Sequence, residues 1–158
     1  MVYQIIGSCG VGKTWVMKKI IEQGKFQQCK LGLFRYMEDG TTMILGKYDG
    51  SMFEGSDKLS MAIAKDFQEF NLFTVNKKYT IICEGDRFMN QKFFDIFKPT
   101  VLKINGDGRL GREKRNSKQS EQHIKRIDTR VKKYKFDKEF NNSEECLTYL
   151  KQLCDDKN

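Results

Sequence analysis

Eight residues near the start of the chain, Gly7-Ser8-Cys9-Gly10-Val11-Gly12-Lys13-Thr14, follow the spacing G-x-x-x-x-G-K-[ST] of a P-loop. No other stretch restricts the fold as strongly, because this pattern requires a strand before it and a helix after it. Val2 to Ile6 is a short β-prone run, and from Trp15 to Ile21 the residues Val16, Met17, Ile20 and Ile21 recur at helical spacing. The glycines permit a tight turn and let several backbone N–H groups approach one anion, while a helix N-terminus adds partial positive charge. A chance glycine-rich turn would lack this flanking register. The pattern predicts a site for a nucleoside triphosphate such as ATP, with Lys13 reaching the β- and γ-phosphates and the Thr14 hydroxyl ligating Mg²⁺.

At 158 residues, 39% of them apolar, the chain is expected to form one domain (residues 1–158) with a proper core. No apolar run approaches the ~18 residues that span a bilayer, and the first residues read as a strand rather than a leader, so a cytoplasmic, membrane-free protein is expected. The five cysteines are odd in number and form no C-x-x-C pair, which fits free thiols better than disulfides or zinc. A single histidine, His123, argues against a histidine-based metal site or triad. The net charge of +8 is concentrated: Asp107 to Lys135 holds eleven Lys or Arg against four Asp or Glu, a surplus of seven. Such a segment reads either as a solvated charged helix or as a binding surface for polyanions, nucleotide phosphates and nucleic-acid backbone among them.

Further along, Gly24 is placed to cap the first helix. Leu31 to Met37 and Thr42 to Lys47 are β-prone runs joined by Glu38-Asp39-Gly40-Thr41, with a hairpin signal at Asp-Gly. A loop through Gly55 follows, then a helix from about Lys58 to Phe70, capped by Ser56 or Asp57. Lys78 to Glu84 reads as a central strand, with a short helix after it that Pro99 stops. Thr100 to Ile104 is another strand. The second half of the basic segment has a narrow apolar stripe (Ile124, Ile127, Val131), Tyr134 to Phe136 reads as an edge strand, and Asn142 with Glu145 opens a last helix. The fold class expected is α/β: a three-layer, nucleotide-kinase-like P-loop arrangement, its central sheet parallel and its helices on both faces.

In that geometry the P-loop, Asp49 and Glu84-Gly85-Asp86-Arg87 gather at one edge of the sheet. Phosphoryl transfer needs a phosphate cradle, Mg²⁺, cations on the moving group and a carboxylate for the nucleophile. Glu84 ends the central strand where an acid can hold Mg²⁺ through water. Asp49, Asp57 and Asp86 are the other candidate acids; Asp57 is equally placed as a helix cap, and Asp86 is also placed to pair with Arg87 or Lys13. Arg87 is placed to bind substrate or phosphate. Within residues 107–133, read as a lid, Arg109, Arg112, Arg115, Arg126 and Arg130 are candidates to close over the triphosphate. No N-K-x-D guanine loop follows a strand, which disfavours GTPases, and the chain is short for a motor ATPase.

Gly46-Lys47-Tyr48-Asp49-Gly50, Gly55-Ser56-Asp57-Lys58-Leu59-Ser60-Met61-Ala62, Glu84-Gly85-Asp86-Arg87 and Gln119-Ser120-Glu121 with Asp128-Thr129-Arg130 together resemble a set of small bacteriophage P-loop kinases, among them the 5-hydroxymethyluracil DNA kinases. The resemblance covers most of the chain in order. It implies transfer of the ATP γ-phosphate to the hydroxymethyl group of 5-hydroxymethyluracil in DNA, a modified thymine. It also implies that Asp49 and Asp57 serve the acceptor side, that Glu84, Asp86 and Arg87 (with Lys13) form the catalytic edge, and that Arg130 lies at the lid or adenine side. Arg109 and Arg126 are grouped with ATP; Tyr48, Phe53, Arg112 and Arg115 are grouped with the DNA acceptor. A base must leave its stack before its hydroxyl enters a kinase pocket, which calls for cations and aromatic walls, and Tyr48, Phe53, Phe34 and Phe88 are candidates for the walls. Two other readings stay open: a kinase for a free nucleoside or nucleoside monophosphate, and a nucleotide-dependent DNA-binding protein without phosphotransfer.

Overall fold

The computed structural model describes residues 1–51 and 54–155. The strands are β1 (Val2–Ile6), β2 (Gln27–Leu31), β3 (Phe34–Asp39), β4 (Thr42–Leu45), β5 (Thr80–Glu84), β6 (Thr100–Ile104) and β7 (Lys138–Phe140). The helices are α1 (Lys13–Ile21), α2 (Phe67–Val75), α3 (Gln91–Phe97), α4 (Arg109–Lys114), α5 (Glu121–Lys133) and α6 (Ser143–Asp155). All seven strands join one sheet in the order β2-β3-β4-β5-β1-β6-β7. The sheet is mixed, not parallel throughout as the sequence pattern predicts. β1 runs parallel to β5 and β6, β4 parallel to β5, and β6 parallel to β7, but β2–β3 and β3–β4 are antiparallel hairpins.

Side chains alternate across the strands and so build a core on each face. On one face Tyr3 and Ile5 pack with Val16, Met17 and Ile20 of α1 and with Cys146, Leu147 and Leu150 of α6. On the other, Met43, Leu45, Ile81 and Cys83 pack under α2 and α3, where Phe34, Phe67, Phe70, Phe88, Phe93 and Phe97 form an aromatic cluster. Ile6 and Val101 meet Ile127 and Val131 of α5, with Met89. Phe34 and Phe88 are fully buried here, so they are core residues and not walls for a flipped base.

Several boundaries differ from the sequence reading. The run from Leu31 splits, because Gly32 and Leu33 turn the chain between β2 and β3. The helix expected over 58–70 is two short 3-10 turns, Ser56–Lys58 and Ile63–Lys65, followed by α2. Glu22, not Gly24, caps α1, and the last edge strand lies at Lys138–Phe140, beyond Tyr134, which caps α5. At α6 the Asn142 side chain accepts the Glu145 amide at 2.9 Å, while the Glu145 carboxylate accepts the Asn141 amide at 3.0 Å, a capping box shifted by one residue. Among the described residues no helix is long and apolar enough to cross a membrane.

Candidate functional site

The glycine loop lies between β1 and α1, at the middle of the sheet. The pairing of Ile5 with Glu84 brings the end of β5 level with its start. Among the described residues, the amides of Gly10, Gly12, Lys13 and Thr14 donate to no other group of the protein, as expected for a turn whose N–H groups serve an anion. Lys13 Nζ donates to the Gly7 and Ser8 carbonyls, each at 2.9 Å, which folds the ammonium back over the loop.

Glu84 is 4% exposed and sits at the centre of the site. The Thr14 hydroxyl donates to its Oε1 at 3.2 Å, and the Ser56 amide donates to the same carboxyl group. Burial pushes its pKa up; the Lys13 ammonium opposes that, Asp57 reinforces it, and the bonds from Thr14 and Ser56 pull it down. Space around it is created by glycine. A β-carbon at Gly55, whose φ is +88°, would stand 2.6 Å from Glu84 Oε1, and one at Gly85 would stand 2.2 Å from Ser56 Oγ. The motifs Gly55-Ser56-Asp57 and Glu84-Gly85-Asp86 therefore pack with the backbone of each glycine against a side chain of the other motif. Lys47 and Gly55 exchange amide–carbonyl hydrogen bonds at 3.1 and 2.8 Å, which closes the intervening loop, and Glu54 anchors it to Lys18 of α1 at 2.7 Å.

Tyr48 projects from this loop toward Glu84. Its ring is half-buried, but its hydroxyl is fully buried and without a hydrogen-bond partner. Desolvation first, then the Glu84 charge, holds its pKa well above the usual phenol value, so it is a donor and not a base. Two further buried acceptors lack a donor, Gln119 Oε1 and Asp128 Oδ1, and both come from the segment read as a lid.

The remaining expected site residues divide. Asp57 is exposed but within electrostatic reach of Glu84 and Cys9. Asp49 is exposed and held by its own loop: the Ser51 hydroxyl and amide donate to it at 2.6 and 3.1 Å, and Lys47 lies at 3.2 Å. These contacts lower its pKa to about 2, which makes it a poor base for a hydroxyl proton. Asp86 pairs with Arg130, and with Arg126 at 3.8 Å, rather than with Arg87 or Lys13. Arg130 also donates to the Met89 carbonyl, so it ties α5 to the edge of the sheet and is not a free lid cation. Arg126 additionally meets His123 Nδ1 at 3.2 Å. Arg87 Nε donates to the Leu59 carbonyl at 3.3 Å. Phe53 lies outside the described residues.

Helix α4 behaves unlike a hinged flap. Arg112 Nη1 donates to the carbonyls of Cys9 and Asp107, both at 2.6 Å, so this arginine grips the glycine loop and is not a free contact for DNA. The backbones also abut: a β-carbon at Gly111 would stand 1.9 Å from the Gly10 carbonyl oxygen, and one at Gly10 would stand 2.2 Å from that of Gly108. Arg109 pairs loosely with Glu113 at 3.4 Å, and Arg115 donates to the Gly111 carbonyl at 3.3 Å; both stay exposed. Between α4 and the start of α5 lies an open groove of about 450 Å³ lined by Arg109, Arg112, Glu113, Asn116, Ser117 and Ile124.

Sequence reasoning did not single out Asp128 or Gln119 as site residues. Both stand in the quoted motifs Gln119-Ser120-Glu121 and Asp128-Thr129-Arg130, but a buried acceptor without a donor is visible only in three dimensions. No family model, curated protein or solved structure matches this chain.

Proposed function

We propose that this chain is an ATP-dependent kinase of P-loop architecture that phosphorylates a hydroxyl group, with the hydroxymethyl of 5-hydroxymethyluracil in DNA as the acceptor. One observation carries the reading: the Thr14 hydroxyl and the buried Glu84 carboxylate meet at 3.2 Å beside a loop whose Gly10, Gly12, Lys13 and Thr14 amides have no acceptor among the described residues. That combination suits a phosphate tail and a cation together.

The residues present fit Mg²⁺. Glu84 is a buried acidic group within electrostatic reach of the Lys13 ammonium, a setting a cation would suit, and Thr14 offers the adjacent hydroxyl. No cluster of three or more acidic, histidine or cysteine ligands occurs among the described residues, which suits a cation held partly by phosphate oxygens and water. Thr14 and Glu84 would hold it, and when bound it would neutralise charge on the phosphates. Lys13 would leave the Gly7 and Ser8 carbonyls for the phosphates, and the loop amides would orient them. Arg112 would hold the loop's outer turn in shape from behind.

The acceptor side is supported by the exposed cations of α4 and α5 and the groove between them, which suit a DNA backbone. The choice of base and of its hydroxymethyl group comes from the resemblance of the sequence motifs. Labelled ATP offered with hydroxymethyluracil DNA, thymine DNA and free deoxynucleoside monophosphates tests this. Label is expected in the hydroxymethyluracil DNA. Label confined to monophosphates would make the chain a nucleotide kinase, and ATP binding without transfer would make it a nucleotide-dependent DNA-binding protein.

A further inference from the structure

Phosphoryl transfer to an alcohol needs an acceptor for the hydroxyl proton, and the structure narrows the choice of acid. Asp49 is taken by Ser51 and Lys47, and Asp86 by Arg130 and Arg126. Glu84 receives the Thr14 hydroxyl and the Ser56 amide, which commits it to the cation side. Two carboxylates remain that face Cys9, in the outer turn of the glycine loop: Asp57, from the 3-10 turn after β4, and Asp128, from α5.

These two differ in a decisive way. Asp57 is exposed to solvent. Asp128 Oδ1 is buried and receives no hydrogen bond from the described residues. An unsatisfied buried acceptor is unfavourable, so its retention calls for a donor from outside the chain. The position of α5 is firmly set: Ile127 and Val131 pack with Ile6 and Cys9, and Arg130 is latched to Asp86 and the Met89 carbonyl. Asp128 lies on the stretch between these anchors, so its place on the helix is fixed by packing on both sides, within electrostatic reach of Cys9 in the loop's outer turn. The nearest positive groups facing the same turn, Lys13 and Arg112, are engaged with loop carbonyls.

We propose that Asp128 is the general base of the transfer: its carboxylate accepts the proton of the acceptor hydroxyl as that oxygen attacks the γ-phosphorus. This rests on the phosphotransfer reading above. In the step, the O–H bond breaks and its proton passes to Asp128. The new bond joins the acceptor oxygen to phosphorus. The bond from the γ-phosphorus to the β–γ bridging oxygen breaks, its electron pair leaves with ADP, and Asp128 afterwards returns the proton to water.

The test measures ATP-analogue affinity and single-turnover transfer to hydroxymethyluracil DNA for the wild type, Asp128→Asn, Asp128→Glu and Asp57→Asn. Asparagine is isosteric, and retained ATP affinity reports an intact loop. Expected for Asp128→Asn are ATP affinity within about twofold and a transfer rate lower by about 10²–10⁴-fold. Asp128→Glu should recover part of that loss, and Asp57→Asn should keep more than a tenth of the rate. Transfer by Asp128→Asn above a tenth of wild type, or a larger loss in Asp57→Asn, overturns the assignment while leaving the kinase reading standing. Equal loss of ATP affinity and rate in both Asp128 variants also overturns it, because the residue would then be structural. A wild type that binds ATP but phosphorylates no acceptor removes the kinase reading itself.

Discussion

Glu84 shows how a single residue can oppose stability and still be kept. Burial raises its pKa, so between the usual carboxylate value and the raised one the folded chain holds a proton that the unfolded chain has released. Stability from this group is therefore greatest at low pH, falls as pH rises through that window, and stays lower above it. Glu84→Gln removes the titration and keeps a group that can meet Thr14. The variant is expected to melt above the wild type at pH 8, with the gap closing toward pH 4, and to lose transfer by about 10²-fold or more. Calorimetry across that range checks the first part; a gap that widens at low pH refutes it. Lys13 is the opposite case. Its two bonds to loop carbonyls are partly exposed, so Lys13→Ala is expected to change stability by only about 1 kcal/mol while ATP binding disappears. A large fall in melting temperature would show that the ammonium is a structural strut.

Among the elements, α4 is the least legible in sequence and the most informative in structure. The flanks of the glycine motif declare β1 and α1 through their periodicity, and β5, β6 and α6 are announced by apolar runs, Pro99 and Asn142. By contrast β2 (Gln-Gln-Cys-Lys-Leu) is a polar edge strand with little pattern of its own, defined by pairing with β3. Residues 56–66 carry helical spacing, yet they fold as 3-10 turns, the first of them between Gly55, which lies against the Glu84 carboxylate, and Leu59. Glycines 108 and 111 carry no motif of their own; the long-range approach of the Cys9–Gly10 backbone explains them. The same limit hid the role of Arg112, whose partner is a carbonyl 103 positions earlier. A methyl at Gly111 would collide with the Gly10 carbonyl. Gly111→Ala is thus expected to lower stability by about 1–3 kcal/mol and to weaken ATP binding, while Arg115→Ala stays within about 0.5 kcal/mol. Denaturation curves and nucleotide titrations on the two variants separate the predictions.

Over the whole molecule, the glycine loop sits at mid-sheet and the basic segment is folded against it, so charge is gathered around one edge. The sheet's outer strands, β2 and β7, carry Lys30 and Lys138, which discourage pairing with another chain. Arg109, Arg115 and Lys118 are exposed on the basic side and, unlike Arg112, have no bond to the loop. Replacing all three with Gln is expected to flatten the dependence of DNA affinity on salt, with ATP affinity unchanged. The log–log slope should fall by up to about 0.9 for each phosphate that is no longer neutralised. A slope that does not move would place the DNA elsewhere.

Because α4 rests on the turn by direct main-chain contact, the glycine loop, proposed above to hold the nucleotide, and the basic side share one piece of backbone. Anything that shifts the helix on one surface must shift the turn on the other, without an intervening chain of side chains. Linkage then demands reciprocity: whatever factor an oligonucleotide imposes on ATP affinity, ATP must impose on the oligonucleotide. Paired titrations of each ligand, with and without saturating amounts of the other, should return one and the same factor, different from unity.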